Sequence, residues 1–101
     1  MTRGQKQRKF TKMVGMLIQY AYFKGYELSL GDAFATSGHR AGSLHYCRLA
    51  IDLNLFKSEV YLRETSDHEF LGEYWKRLDS QCTWGGDFEN KDGNHYSYGE
   101  H

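Results

Sequence analysis

Three residues in this chain are suited to holding a cation and working on water. His45 and Asp52 lie seven positions apart in Ser43-Leu44-His45-Tyr46-Cys47-Arg48-Leu49-Ala50-Ile51-Asp52. His95 closes a second stretch, Trp84-Gly85-Gly86-Asp87-Phe88 followed by Asp92-Gly93-Asn94-His95. Two imidazoles and one carboxylate suit a catalytic Zn2+ and leave a fourth position for water. Such a site also needs a carboxylate beside the water to take its proton. Asp92, three residues before His95, fits that task. Asp87 is the alternative base, although its distance in sequence from His95 favours a structural or ligand-orienting role. Cys47 is an alternative ligand; a thiolate there would displace Asp52 and favour a closed site.

Spacing constrains the backbone around these residues. In an extended strand His45 and Asp52 would lie roughly 24 Å apart and face opposite ways. Zinc bonds are only about 2.0–2.2 Å long. Either the pair is not a metal site or the chain bends sharply between Tyr46 and Leu49; the bend is the expectation, with the strand proper at 49–56. Gly93 permits a tight backbone between Asp92 and His95, and Gly85-Gly86 signals unusual angles or close approach.

The remaining elements form the frame. Apolar residues Phe10, Met13, Val14, Leu17, Ile18 and Ala21 recur at helical spacing, predicting a helix from about Thr2 to Lys24 that Gly25 stops. Residues 26–30 alternate as a strand, and Gly31-Asp32 marks its end or a bulge. Residues 36–43 read as a loop, in which His39 either lines the substrate groove or, the favoured expectation, faces solvent. A turn at Lys57-Ser58 leads to a return strand at 59–62. A helix starts near Thr65 and carries Phe70, Leu71, Tyr74, Trp75 and Leu78. Strands at 81–84 and 95–98 complete an α+β fold, a small antiparallel sheet packed against two helices.

At 101 residues the chain predicts one domain, 1–101, with a modest core enriched in aromatics, which make up 16% of it. Net charge is zero but polarised: residues 1–26 hold six bases and no acid, and the remainder carries −6. A basic arm suits an anionic partner or simply a solvated helix start. The two cysteines give no disulfide framework. No signal peptide or membrane span is expected, because the run 13–18 is too short and Gly15 interrupts it.

Ser43-x-His45, Ala50-x-Asp52, Trp84-Gly85-Gly86-Asp87-Phe88 and Asp92-x-x-His95 closely resemble the zinc peptidases of bacterial peptidoglycan. That family includes D-alanyl-D-alanine carboxypeptidases and the L-alanyl-D-glutamate endopeptidases used as phage endolysins. The stretches 31–34, 51–56 and 72–75 also resemble its short phage-type members. The resemblance implies one Zn2+ held by His45, Asp52 and His95, with Asp92 as general base. It implies peptidoglycan as partner; a monomer that binds no nucleic acid and stays in the host cytoplasm until release to the wall is expected, against a weaker reading in which residues 3–12 bind nucleic acid. Two positions depart from the family pattern. Its glycine between the first histidine and the aspartate is Arg48, and the arginine that steadies the oxyanion is missing from Phe34-Ala35-Thr36. Arg48 or Arg40 is expected to reach in instead. Ser43 is expected to hydrogen-bond substrate or to order the loop. The competing reading is a non-catalytic, zinc-stabilised wall-binding or virion module.

Overall fold

Helix α1 spans Arg3–Phe23 in the computed structural model, which describes residues 1–39 and 41–99. A reciprocal cap opens it: Gln5 N donates to Thr2 Oγ1 (3.1 Å) and Thr2 N donates to Gln5 Oε1 (2.8 Å). Phe10, Met13, Val14, Leu17 and Ala21 are buried, as their spacing predicts. Gly25 follows the helix at φ +90°, a left-handed conformation open to glycine.

Five strands follow: β1 (Glu27–Leu30), β2 (Ala50–Lys57), β3 (Val60–Leu62), β4 (Cys82–Trp84) and β5 (His95–Tyr98), with helix α2 (Glu69–Leu78) between β3 and β4. They form one antiparallel sheet in the order β1-β2-β5-β4, and β3 also pairs with β2. The fold is α+β, as expected. On β2, Ile51, Leu53 and Leu55 point into the core while Asp52, Asn54 and Phe56 are only partly covered. That alternation fixes which face carries the chemistry.

Trp75 of α2 is the centre of the core. It is fully buried, meets Phe10 and Tyr96 edge-to-face, and donates from Nε1 to Ser97 O (3.0 Å) and Thr83 O (3.1 Å). Helix and sheet are thus tied together by apolar burial and by a satisfied indole N–H. Tyr20 stacks on Tyr74 with ring centroids 4.1 Å apart and joins the two helices.

Two boundaries differ from the sequence expectation. The β2–β3 turn is Ser58-Glu59, because Lys57 still pairs with Val60. Both turn residues have positive φ, 51° and 68°. Two-residue hairpins of this hand usually carry Asn-Gly or Asp-Gly, so Ser-Glu gave no turn signal. The second helix begins with a 3-10 turn, Thr65–His68, whose cap is Glu64 rather than Ser or Thr. Glu64 N donates to Asp67 Oδ2 at 3.1 Å.

Helix α2 lies close to Trp84, and Gly72 makes this possible. A Cβ on Gly72 would sit 2.1 Å from the Trp84 ring. Alanine would gain about 1 kcal/mol of helix propensity, but overpacking costs about 1–3 kcal/mol, and the contact here is very short. Gly72→Ala is expected to lose roughly 1–2 kcal/mol net and to lower Tm by roughly 5–15 °C. Differential scanning calorimetry measures this directly.

His68 gives a pH-dependent prediction. It is 2% exposed, its Nδ1 lies 2.9 Å from Tyr96 Oη, and burial pushes its pKa down to about 4. The unfolded chain protonates this ring near 6.5, so between pH 6.5 and 4 the unfolded state binds more protons. Stability contributed by neutral His68 is complete above pH 6.5 and falls as pH drops towards 4. At pH 5 the loss is about 2 kcal/mol. Urea titrations of chelator-treated protein at pH 7.5 and 5 are expected to show that difference shrinking by about this amount in His68→Gln.

Candidate metal centre

The segment from Ser43 to Asp52 folds back on itself. Ser43 Oγ accepts the His45 N–H at 3.2 Å and starts a 3-10 turn over Leu44–Cys47. Arg48 then adopts φ 60°, ψ 36°, and Leu49 N donates to Leu44 O at 2.9 Å before β2 begins. The fold-back runs from the 3-10 turn through left-handed Arg48 and so includes the stretch between Tyr46 and Leu49 where a bend is expected. It brings His45 Nε2 to 3.2 Å from Asp52 Oδ1.

Sheet pairing delivers the third residue. Asp52 is opposite His95 in the β2–β5 register, and directly opposed residues share a face. His95 Nδ1 lies 3.9 Å from Asp52 Oδ1, and the His45 and His95 rings have centroids 5.3 Å apart at 71°. Asp92 joins Asp52 and His95, each offering a ligand atom within 4.8 Å of the others. On the far side of β2, Gly31 N donates to Asp52 O (2.7 Å) while Asp52 N donates to Asp32 O (2.9 Å). Two residues thus oppose one, a β-bulge that turns Asp32 towards the cluster.

The Trp84-Gly85-Gly86 stretch sets the position of Asp92. Gly85 O accepts from Phe88 N (3.1 Å) and Asp92 N (2.9 Å), and Asp92 O accepts from His95 N (3.1 Å). Gly85 is needed for close approach: a Cβ there would lie 2.1 Å from Asp92 O. Trp84 Nε1 donates to Gly93 O at 2.7 Å, between the two site residues. Its ring is packed so tightly by Gly86 that a Cβ there would come within 2.3 Å.

Two donor groups that share Asp52, one of His39, His45 and Asp52 and the other of Asp52, Asp92 and His95, could each hold a cation; the described residues do not bring His45, Asp52 and His95 together as one such group. Asp52 Oδ1 and His45 Nδ1 are buried without a well-formed hydrogen bond among the described residues. A buried polar atom without a partner is costly; a carboxylate oxygen facing imidazole nitrogens is relieved by a metal ion. Burial dominates the electrostatics. It raises Asp52 to about 6, aided by Asp92 and opposed by His39. It raises Asp92, again opposed by His39, and it lowers His45, to which His39 adds. Each shift disfavours charge in a desolvated site, and a bound cation would reverse the carboxylate shifts.

Other residues singled out in the sequence fall elsewhere. Arg48 holds its guanidinium over the Phe34 ring, 4.0 Å from the centroid. Arg40, and His101 at the C-terminus, lie outside the described residues. Asp87 is half exposed and pairs with Lys76 Nζ of α2 at 2.8 Å, a structural placement. Cys47 belongs to neither donor cluster among the described residues; its carbonyl accepts from Gln7 Nε2 at 2.8 Å. Cys82 is buried, and burial pushes its thiol up to about 12. Tyr96 and Trp84 are core residues. His39 differs from the sequence expectation of a solvent-facing loop histidine. It is only partly exposed, stacks on His45, and completes a second donor cluster with His45 and Asp52. Its loop is read from composition, which carries no trace of that contact.

A family model described as D-alanyl-D-alanine carboxypeptidase, of the M15 peptidases, matches residues 36–98. The chain belongs to this peptidase family. Among solved structures, the Serratia marcescens L-Ala D-Glu endopeptidase ChiX shares the fold: TM-score 0.71 over 94% of this chain and 84% of that one, at 16% identity. No curated protein matches the chain. Among the described residues, no helix is long and apolar enough to cross a membrane.

Arg48 occupies a left-handed position where the family resemblance has glycine. A non-glycine residue there costs about 1–2 kcal/mol. Glycine removes that strain but loses about 0.5–1 kcal/mol of contact with Phe34 and gains similar entropy in the unfolded chain. Arg48→Gly is therefore expected to stay within about 1 kcal/mol of the parent. Arg48→Val, β-branched and strained at positive φ, is expected to lose about 2 kcal/mol or more. Urea midpoints of the two variants check the contrast.

Proposed function

We propose that residues 1–101 form one zinc-dependent peptidase domain that hydrolyses a peptide bond in the stem peptides of bacterial peptidoglycan. The bond is of L-Ala-D-Glu or D-Ala-D-Ala type, and the setting is phage or prophage lysis. The observation that carries this reading is the convergence of His45 Nε2 and His95 Nδ1 on the buried Asp52 Oδ1, in a chain of the M15 peptidase family.

His45, Asp52 and His95 are the residues that hold the ion. When bound, Zn2+ supplies a Lewis acid that makes water acidic near neutral pH and polarises the scissile carbonyl. Asp92, placed beside Asp52 and His95, accepts the proton of the attacking water and passes it to the departing amine nitrogen. Ser43 fixes the His45 turn by accepting its N–H. The Ser43 hydroxyl proton stays available for donation to a substrate carbonyl. Arg48 and Arg40 are the arginines proposed to meet the developing negative charge. Arg48 must leave Phe34 to do so.

That contact, together with the missing arginine near Phe34, favours one second reading: a zinc-holding module that binds wall without cutting it. Mass spectrometry of fragments released from defined peptidoglycan separates the two, since a binder retains the wall and releases nothing. For the peptidase, His45→Ala and His95→Ala are expected to lose both zinc and activity. Asp92→Asn is expected to keep stoichiometric zinc while kcat falls by about 10²–10⁴-fold. An Asp92→Asn protein that releases fragments at the parent rate removes Asp92 from the mechanism.

A further inference from the structure

Nothing in the ligand set explains how the His45 ring is held at the angle the site requires. A metal-binding histidine is usually oriented by a hydrogen bond from its other ring nitrogen. In His45 the Asp32 carbonyl favours a proton on the ring, yet no partner meets hydrogen-bonding geometry at Nδ1 among the described residues. The His39 ring instead lies flat against His45, with centroids 4.0 Å apart and 14° between planes.

His39 is itself anchored from two directions. Its Nε2 lies 3.1 Å from Asp32 Oδ2. Its backbone N–H donates to Tyr46 Oη at 2.8 Å, and the Tyr46 hydroxyl donates back to the His39 carbonyl. Tyr46 directly follows His45, so the clamp ties the loop to the turn that carries the ligand. The bulge that aims Asp32 also hydrogen-bonds the backbone of Asp52. One short network thus fixes His39 relative to both residues.

His39 has donor atoms near the site, but its ring orientation argues against coordination. A cation lies in the plane of each imidazole that binds it, at about 2.0–2.1 Å. Near-parallel rings stacked with centroids 4.0 Å apart would hold a shared ion off the plane of at least one of them. The 71° angle between His45 and His95 imposes no such restriction.

We propose that His39 is a positioning residue for the metal-binding imidazole, acting through the face of its ring, with Asp32 and Tyr46 holding that ring in place. The proposal rests on the metal-site reading above. It assigns His39 contact with neither the ion nor the substrate.

The test is metal affinity, measured with Zn2+ alone by competition against a chelating dye and with Co2+ by its visible absorption. His39→Ala is expected to weaken Zn2+ binding by about 10–100-fold, the range for lost outer-sphere support. Its Co2+ spectrum is expected to change in shape or intensity. His39→Phe restores a flat ring without nitrogen and is expected to return to within about threefold of the parent, with a parent-like Co2+ spectrum. Tyr46→Phe, which releases the loop but keeps the His39 ring, is expected to weaken binding in the same direction. Metal-free Tm is expected to be unchanged in all three.

Parent-like affinity in His39→Ala overturns the proposal. So does a His39→Phe as weak as His39→Ala, which would assign the role to a nitrogen. A large fall in metal-free Tm would make the contact one of folding alone and overturns it too. A parent chain that binds neither ion refutes the metal-site reading itself, and the proposal with it. A parent that binds both while His39→Ala is indifferent refutes only the latter.

Discussion

Strand β5 aligned on β2 so that His95 opposes Asp52 is the constraint on which the site depends. Side chains alternate along a strand, so shifting β5 by one residue would turn His95 into the core and Tyr96 out of it. Apolar burial enforces the alignment. Tyr96 and Tyr98 are almost wholly buried, and Tyr96 packs on Trp75. The core therefore sets the chemical face.

The other half of the site depends on a local bend. Between His45 and Asp52 the chain uses a 3-10 turn and one left-handed residue. This converts a separation that would be long in a strand into an ion-pair distance. The cost falls on Arg48, whose side chain recovers part of it by stacking on Phe34. Burial then keeps the acids and His45 towards their neutral forms. The protein holds this desolvated cluster by its backbone: Gly31 N donates to Asp52 O, while Asp32 O, Ser43 Oγ and Gly85 O accept from the Asp52, His45 and Asp92 amides.

Much of this was readable in the residues. Helix α1 followed from Phe10, Met13, Val14, Leu17 and Ala21. Strand β5 was expected at 95–98, and the bend before Leu49 was the alternative favoured once His45 and Asp52 were taken as a metal pair. The Ser58-Glu59 turn was not readable, since neither residue advertises positive φ. The Glu64 cap was hidden because a longer side chain took the place that Ser or Thr usually fills. His39 was missed for a different reason. Its meaning lies in a ring-on-ring contact with His45 and in anchors on Asp32 and Tyr46, and spacing in a polar, glycine-containing loop encodes none of these. The motif residues named the candidate ligands; the packing around them appears only in three dimensions.

The connection from β4 to β5 is closed on itself by the Gly85 carbonyl, which binds the amides at both Phe88 and Asp92. Residues 89–91 bulge outward between those two anchors and are exposed. Evolutionary lengthening has room there, on the solvent side of a closed ring, with little effect on the carboxylate at 92. The three residues after Asp92 have no such slack. Trp84 grips Gly93 from within the core, so every insertion in that interval would be felt at His95.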